Sequence, residues 1–180
     1  EIGGFAVQEV KREALIARAA ELLENGTVDR VLGWKAGEFD YDLTPALFHS
    51  AGELESDFVW NGFCGANFSK YLVKETGKSE NKVLVFLKPC DTYSFNQLLT
   101  EHRFSRDKVY AIGVPCEGML DAGRIKDSAE GIASVREDGD HVLVETLYDG
   151  TLTLDRASLL PDRCRNCKSK KHVAYDELLG

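Results

Sequence analysis

Two cysteines of this chain each follow a proline at the end of an apolar run, in Val83-Leu84-Val85-Phe86-Leu87-Lys88-Pro89-Cys90 and Val109-Tyr110-Ala111-Ile112-Gly113-Val114-Pro115-Cys116. Two more form Cys164-Arg165-Asn166-Cys167, and a fifth, Cys64, stands in Trp60-Asn61-Gly62-Phe63-Cys64. Thiolates presented at loop edges are how proteins hold iron–sulfur clusters or zinc. A lone Cys-x-x-Cys is half a zinc site, a redox dithiol or part of an iron–sulfur site. A thioredoxin-type dithiol opens a helix after a strand, whereas this pair follows Leu159-Leu160-Pro161-Asp162-Arg163 and precedes a lysine-rich stretch. Structural zinc usually takes two nearby pairs; here the remaining cysteines are single and separated by a predicted helix and strand. The pattern favours a four-thiolate iron–sulfur cluster. A zinc-stabilised scaffold and a thiol-redox protein using Cys164 and Cys167 stay open as alternatives. Cys64 is the spare: it packs beside Trp60 and Phe63, takes the place of one of the other four as a ligand, or holds a second cofactor.

The remaining chemistry-bearing residues are less organised. His49, His102, His141 and His172 share no spacing. His172 falls near the cysteine pair, where an imidazole can donate a hydrogen bond or take up a proton. Lys168, Lys170 and Lys171 add positive charge beside the same pair, which lowers the cost of adding an electron to a cluster. No acidic pair has the spacing of acid–base catalysis, and no Ser-His-Asp pattern is present. Gly3-Gly4 and Gly113 make no dinucleotide fingerprint.

The elements that must position the thiols follow from periodicity. Val83–Leu87 and Val109–Val114 are continuous apolar runs, as buried parallel strands require. Between them Asp91 caps a predicted helix over about 92–103, with Phe95, Leu98 and Leu99 facing inward. Strand, helix and strand predict a right-handed βαβ unit, its strands neighbours at about 4.8 Å. Cys90 and Cys116 then leave the same C-terminal sheet edge, where open α/β folds bind ligands. The prolines stiffen both exits.

Upstream, Val7, Val10, Ala14, Leu15, Ala17, Leu22 and Leu23 predict an amphipathic helix over 7–24, stopped by Asn25-Gly26. Val28–Trp34 and Ala46–His49 read as short strands, Ser50-Ala51-Gly52-Glu53 as a helix start, and Asn67–Lys74 as a helix. Downstream, Ala133–Arg136, His141–Leu147 and Thr151–Leu154 alternate apolar with polar residues around Asp138-Gly139-Asp140 and Asp149-Gly150. They predict an antiparallel meander. The expected fold is α/β: a parallel-sheet core with crossover helices plus a small antiparallel β meander.

Size and charge set the outer bounds. The 180 residues suffice for one sizeable domain, and no apolar stretch is long enough to span a membrane. A net charge of −8 argues against nucleic acid as a partner. The start at Glu1-Ile2-Gly3-Gly4-Phe5 carries no initiator Met and no export signal, so the chain is read as a processed or trimmed form. An odd cysteine count without a disulfide-framework spacing points to a reducing, cytoplasmic setting.

These motifs, taken in order, resemble a known family. Trp60-Asn61-Gly62-Phe63-Cys64, Lys88-Pro89-Cys90-Asp91, Ile112-Gly113-Val114-Pro115-Cys116-Glu117-Gly118, and Cys164-x-x-Cys167 followed by Tyr175-Asp176-Glu177-Leu178-Leu179-Gly180 resemble the coenzyme F420 hydrogenase/dehydrogenase beta-subunit family. That family includes formate dehydrogenase beta subunits and subunits associated with heterodisulfide reductase. Asn25-Gly26-Thr27-Val28-Asp29-Arg30-Val31 looks like its opening segment.

The resemblance implies an electron-transfer subunit of an anaerobic oxidoreductase complex of hydrogenase, formate dehydrogenase or heterodisulfide reductase type. It implies a [4Fe–4S] cluster on Cys90, Cys116, Cys164 and Cys167, and FAD, relaying electrons between a two-electron donor and one-electron carriers. Residues 1–180 would form one iron–sulfur domain, with the meander an insertion at about 132–155. Two departures stand out. The ferredoxin-like segment of many relatives is absent from the sequence, and no motif identifies flavin-binding positions.

Overall fold

The computed structural model describes residues 10–180; the predicted start of the first helix at Val7, and Gly3-Gly4, lie outside the described residues. Six helices are present: α1 (Arg12–Glu24), α2 (Ala51–Asp57), α3 (Ser69–Glu75), α4 (Pro89–Thr100), α5 (Ala122–Lys126) and α6 (Asp162–Arg165). Eight strands accompany them: β1 (Arg30–Ala36), β2 (Leu43–Phe48), β3 (Val83–Leu87), β4 (Val109–Gly113), β5 (Ile132–Asp138), β6 (His141–Thr146), β7 (Thr151–Asp155) and β8 (Glu177–Leu178).

Every residue of β3 is buried, because the run Val83-Leu84-Val85-Phe86-Leu87 has no polar face to turn to water. It therefore takes the centre of a five-stranded sheet ordered β2-β1-β3-β4-β8. The β1–β3, β3–β4 and β4–β8 pairs are parallel, and only β2 runs antiparallel on β1. A separate three-stranded antiparallel sheet, β5-β6-β7, is the predicted meander. The architecture is the α/β class expected, with a mostly parallel core and a small antiparallel sheet.

The main core forms around aromatic rings carried by β1, β3 and the segments between them. Trp34, Phe58, Phe68 and Phe86 are fully buried. The Trp34 ring lies 4.4 Å from Phe68 and 6.3 Å from Phe86, and Phe58 lies 5.5 Å from Phe86. A second apolar cluster, with Ile125, Val142, Val144 and Leu159 at its heart, sits under the meander. Ser50 caps α2 by accepting from the Glu53 N–H at 3.2 Å, as its sequence suggested.

Three details differ from the sequence reading. Helix α4 begins at Pro89, so Pro89 occupies the first helical position, where a missing N–H costs nothing, and Cys90 lies inside the first turn. Asp91 sits within that turn and reaches back, its Oδ2 accepting from the Lys88 N–H at 3.0 Å. Cys164 lies on the short helix α6, which the sequence did not predict. Strand β8 was not foreseen.

The two-residue strand β8 pairs with β4 through the backbone, the Asp176 N–H donating to the Ala111 carbonyl at 2.8 Å and the Leu179 N–H to the Gly113 carbonyl at 3.0 Å, and side chains reinforce it. Arg18 donates twice to Glu177, Nε to Oε1 and Nη2 to Oε2, both at 2.8 Å, and the Tyr110 hydroxyl donates to Oε2 at 2.7 Å. Asp176 accepts from the Ala111 N–H at 2.7 Å and pairs with Arg106 at 3.0 Å.

Removing the Phe86 ring leaves a cavity in the middle strand, so Phe86→Ala should cost about 3–5 kcal/mol in denaturant unfolding. The Arg18 bonds hold the Glu177 carboxyl below its ordinary value of 4.5, against burial that opposes them, with Tyr110 assisting. A lowered folded value stabilises fully above the ordinary one and is lost as pH falls through the lowered value. Wild-type protein should therefore exceed Glu177→Gln by about 1 kcal/mol at neutral pH. That advantage should shrink between about pH 5 and pH 3, read from urea midpoints.

Candidate metal centre

The C-terminal edge of β3 and β4 is where the thiol-bearing segments meet. The parallel register sets Leu87 opposite Gly113, so both chains leave the sheet at one level. The Val114 N–H still donates to the Leu87 carbonyl at 2.9 Å, extending the pairing by one step. Cys90 then follows in the first turn of α4, and Cys116 in the loop after Pro115.

Lys88 lies directly beneath them. It is only 2% exposed, although a lysine is among the residues least often buried. Its Nζ pairs with Asp91 Oδ2 at 2.8 Å, donates to the Ala66 carbonyl at 3.0 Å and stands 5.3 Å from the Trp34 ring centre. Its positive charge acts on three thiols, Cys64, Cys90 and Cys116, favouring their ionised forms.

The loop after β4 is shaped by Gly118, whose φ of +108° lies in the left-handed region. This turn aims the Gly118 N–H at Cys116 Sγ, 3.4 Å away. A side chain at 118 would also meet Leu160 Cδ2 at 3.0 Å and Cys164 Cβ at 3.7 Å. Glycine here lets the Cys-x-x-Cys segment approach Cys116. The same loop is tied to the meander. Arg156 donates to the Gly118 carbonyl at 2.8 Å and to Glu137 at 3.1 Å, and Glu137 accepts from the Gly62 N–H at 2.7 Å.

The Cys-x-x-Cys segment is a compact turn: the Cys164 N–H donates to Pro161 and the Cys167 N–H to Cys164. Its far end is anchored at the sheet edge by His172. The Nε2 of that ring lies 3.0 Å from the Leu87 carbonyl and 3.1 Å from the Val114 carbonyl. Carbonyls only accept, so Nε2 carries the proton and donates between them. The ring covers Gly113, where an added Cβ would lie 2.9 Å from His172 Cδ2. One residue on, the Val173 N–H donates to Thr92 Oγ1 at 3.1 Å, joining the strip to α4.

Cys90, Cys116, Cys164 and Cys167 are thus brought to one neighbourhood. Burial and then Asp91 push the Cys90 thiol up to about 11; Cys116 and Cys167 add to the rise, and Lys88 opposes it. Cys90 nonetheless remains exposed. Burial raises the Cys116 thiol, the Gly118 N–H and Lys88 oppose it, and Cys164 raises it further. All five cysteines are free thiols. Among the described residues, no three His, Cys, Asp or Glu side chains stand close enough to grip a single metal ion.

Cys64 stands apart. It is fully buried, accepts from the Asn61 N–H at 3.3 Å and lies 3.6 Å from the Val59 carbonyl. Burial pushes its thiol up to about 12, and no other thiol figures among the groups acting on it. His49, on an exposed turn, lies 3.9 Å from Glu53, and His141 is exposed on β6.

Sequence reasoning missed the Lys88–Asp91 pair, the turn at Gly118 and the grip of His172. The spacing of Lys88 and Asp91 across Pro89-Cys90 was a visible signal for the first. For the third, the sequence marks His172 as a hydrogen-bond donor near the cysteine pair but not its two carbonyl partners, 85 and 58 residues earlier. Beside Cys116 a cleft of about 540 Å³ opens, bordered by Trp60, Pro115, Met119, Glu137 and Arg156.

No family model matches the sequence. Two relatives do. The F420-dependent formate dehydrogenase subunit beta of Methanocaldococcus jannaschii is 32% identical over 107 residues, covering 59% of this chain and 28% of that protein. The F420-dependent formate dehydrogenase 1 subunit beta of Methanococcus maripaludis is 32% identical over 107 residues, covering 59% and 27%. The match thus spans less than a third of either relative's length. Among solved structures, the xenon-derivatised F420-reducing [NiFe] hydrogenase complex from Methanosarcina barkeri contains a chain with the same fold. Its TM-score is 0.60 at 14% identity, covering 81% of this chain and 54% of that one. Over part of its length the chain is thus similar in sequence to F420-dependent formate dehydrogenase beta subunits, and it shares the fold of a chain of the F420-reducing hydrogenase complex.

Proposed function

We propose that this chain is an electron-transfer part of an oxidoreductase complex of the F420-dependent formate dehydrogenase or hydrogenase kind. In this reading Cys90, Cys116, Cys164 and Cys167 hold a [4Fe–4S] cluster at the sheet edge. One observation carries it: the β3–β4 register sets the Cys90 and Cys116 segments side by side, Gly118 and His172 hold the Cys164–Cys167 turn against them, and Cys64 is buried apart. A cubane is larger than a single ion, so its ligands stand further apart than the four thiolates of zinc, each about 2.3 Å from the metal.

When bound, such a cluster supplies one-electron storage and release. The chain's own residues do the rest. The Gly118 N–H donates to the Cys116 sulfur, which favours the thiolate over the thiol. Lys88, neutralised in part by Asp91, places a cation under the site without admitting water. Hydrogen bonds to the sulfurs and net charge are the means by which a protein sets a cluster's potential. Thiols held high, as Cys90 is, must lose their protons to metal, so loading releases protons.

FAD fits this reading in the cleft beside Cys116, where Trp60 offers an aromatic wall. The flavin would exchange two electrons with a donor and the cluster one at a time. The partners would be the other subunits of such a complex. Five free thiols suit a cytoplasmic, reducing setting. Among the described residues, no helix is long and apolar enough to cross a membrane.

Anaerobically purified protein should contain about four iron and four sulfide per chain. Serine at position 90, 116, 164 or 167 should remove most of the iron, and Cys64→Ser should retain it. About one zinc without iron would establish the scaffold alternative instead, and a metal-free reactive dithiol the thiol-redox one. Gly118→Ala meets both an unfavourable φ and Leu160, so it should cost about 1–2 kcal/mol and lower iron content in proportion.

A further inference from the structure

The segment from Asp162 to His172 carries five cations, Arg163, Arg165, Lys168, Lys170 and Lys171, against one anion, in a chain of net charge −8. All five are exposed. Among the described residues only Arg165 of these finds an ion-pair partner, Asp162 at 3.7 Å. The cations are not on a free tether. The segment is held at one end by the α6 turn and at the other by His172 on the Leu87 and Val114 carbonyls.

Apolar surface adjoins the charge. Tyr93 is 51% exposed, and Val173 and Tyr175 are each 46% exposed. The Val173–Thr92 hydrogen bond sets Val173 beside the α4 turn that carries Tyr93. Aromatic and aliphatic side chains bordered by charge are the composition of a docking surface. Cys90, one turn before Tyr93, and Cys167, next to Lys168, both belong to it.

We infer that this basic strip is the docking surface for an acidic one-electron carrier protein. The inference rests on the cluster reading for its purpose and on charge for its partner. In a chain of net charge −8, five cations within residues 162–172 concentrate positive charge at one edge, so the charge selects orientation as well as partner. Docking there brings the carrier against the thiol-bearing edge. What crosses is one electron: the carrier is reduced by one as the thiolate-held centre is oxidised by one, or the reverse.

The test is binding of an oxidised, small, acidic 2[4Fe–4S] ferredoxin to the full chain by calorimetry across a salt series. Wild type should bind, with affinity falling as salt rises. Lys168→Glu/Lys170→Glu/Lys171→Glu should weaken binding by about tenfold or more at low salt. Lys35→Glu/Lys74→Glu/Lys126→Glu changes net charge equally on other exposed faces, and should stay within about threefold of wild type. Equal loss in both triple variants, or none in the first, overturns the inference. So does tighter binding of an RNA oligonucleotide, or self-association of the chain through the strip. Iron content is measured on each sample. Charge-dependent binding by an iron-free protein would sink the cluster reading alone, and an iron-loaded protein indifferent to the charge reversal would sink the docking inference alone.

Discussion

The parallel register that sets Leu87 opposite Gly113 is the constraint on which the rest of the thiol-bearing edge depends. It brings the carbonyls of Leu87 and Val114 to one level, near enough for one imidazole nitrogen to serve both. A slip of one residue would turn every side chain of the strand to the opposite face. β3 is buried on both faces, so its apolar run alone would tolerate such a slip. The register is therefore held from outside the strand, by the α4 cap and the His172 and β8 contacts, all at the C-terminal edge.

The buried Lys88–Asp91 pair has a related role. Removing two charges from water costs several kcal/mol per ion, which their attraction repays only with good geometry and further hydrogen bonds. Here the geometry is good. Asp91 also accepts the Lys88 N–H, and Lys88 also reaches the Ala66 carbonyl. The pair thereby ties the start of α4 to the segment leading into α3. It couples the direction of Cys90 to the loop that carries Cys64, so two cysteine motifs far apart in sequence share one rigid base.

Much of this was legible in the sequence where the signal is local. The apolar runs of β3 and β4, the Ser50 cap and the alternation of the meander are short-range patterns, and each reached the fold nearly unchanged. The gathering of Cys90 and Cys116 followed from two strand ends. Cys164 and Cys167 were placed beside them only by resemblance, because a helix, a meander and two turns intervene. Strand β8 was invisible for the opposite reason. Glu177-Leu178 has no strand periodicity, and beyond its backbone pairing with β4 it is held by Arg18, 159 residues earlier, together with Tyr110 and Arg106. The first turn of α4 was misread because Pro89 looked like a loop residue, although proline suits the first position of a helix equally well.

The Arg18–Glu177 bond joins the first helix to the last strand, and that has a consequence for the order of assembly. Contacts between segments this far apart in sequence form late, because loop closure must be met before they give anything back. During synthesis, α1 and the β1–β3–β4 ladder are free to fold while the segment bearing Cys164 and Cys167 is still inside the ribosome. Two of the gathered thiols therefore wait on a finished surface for two that arrive with the closing strand. Biogenesis of the edge is thus tied to completion of translation through this segment, a timing written into the topology.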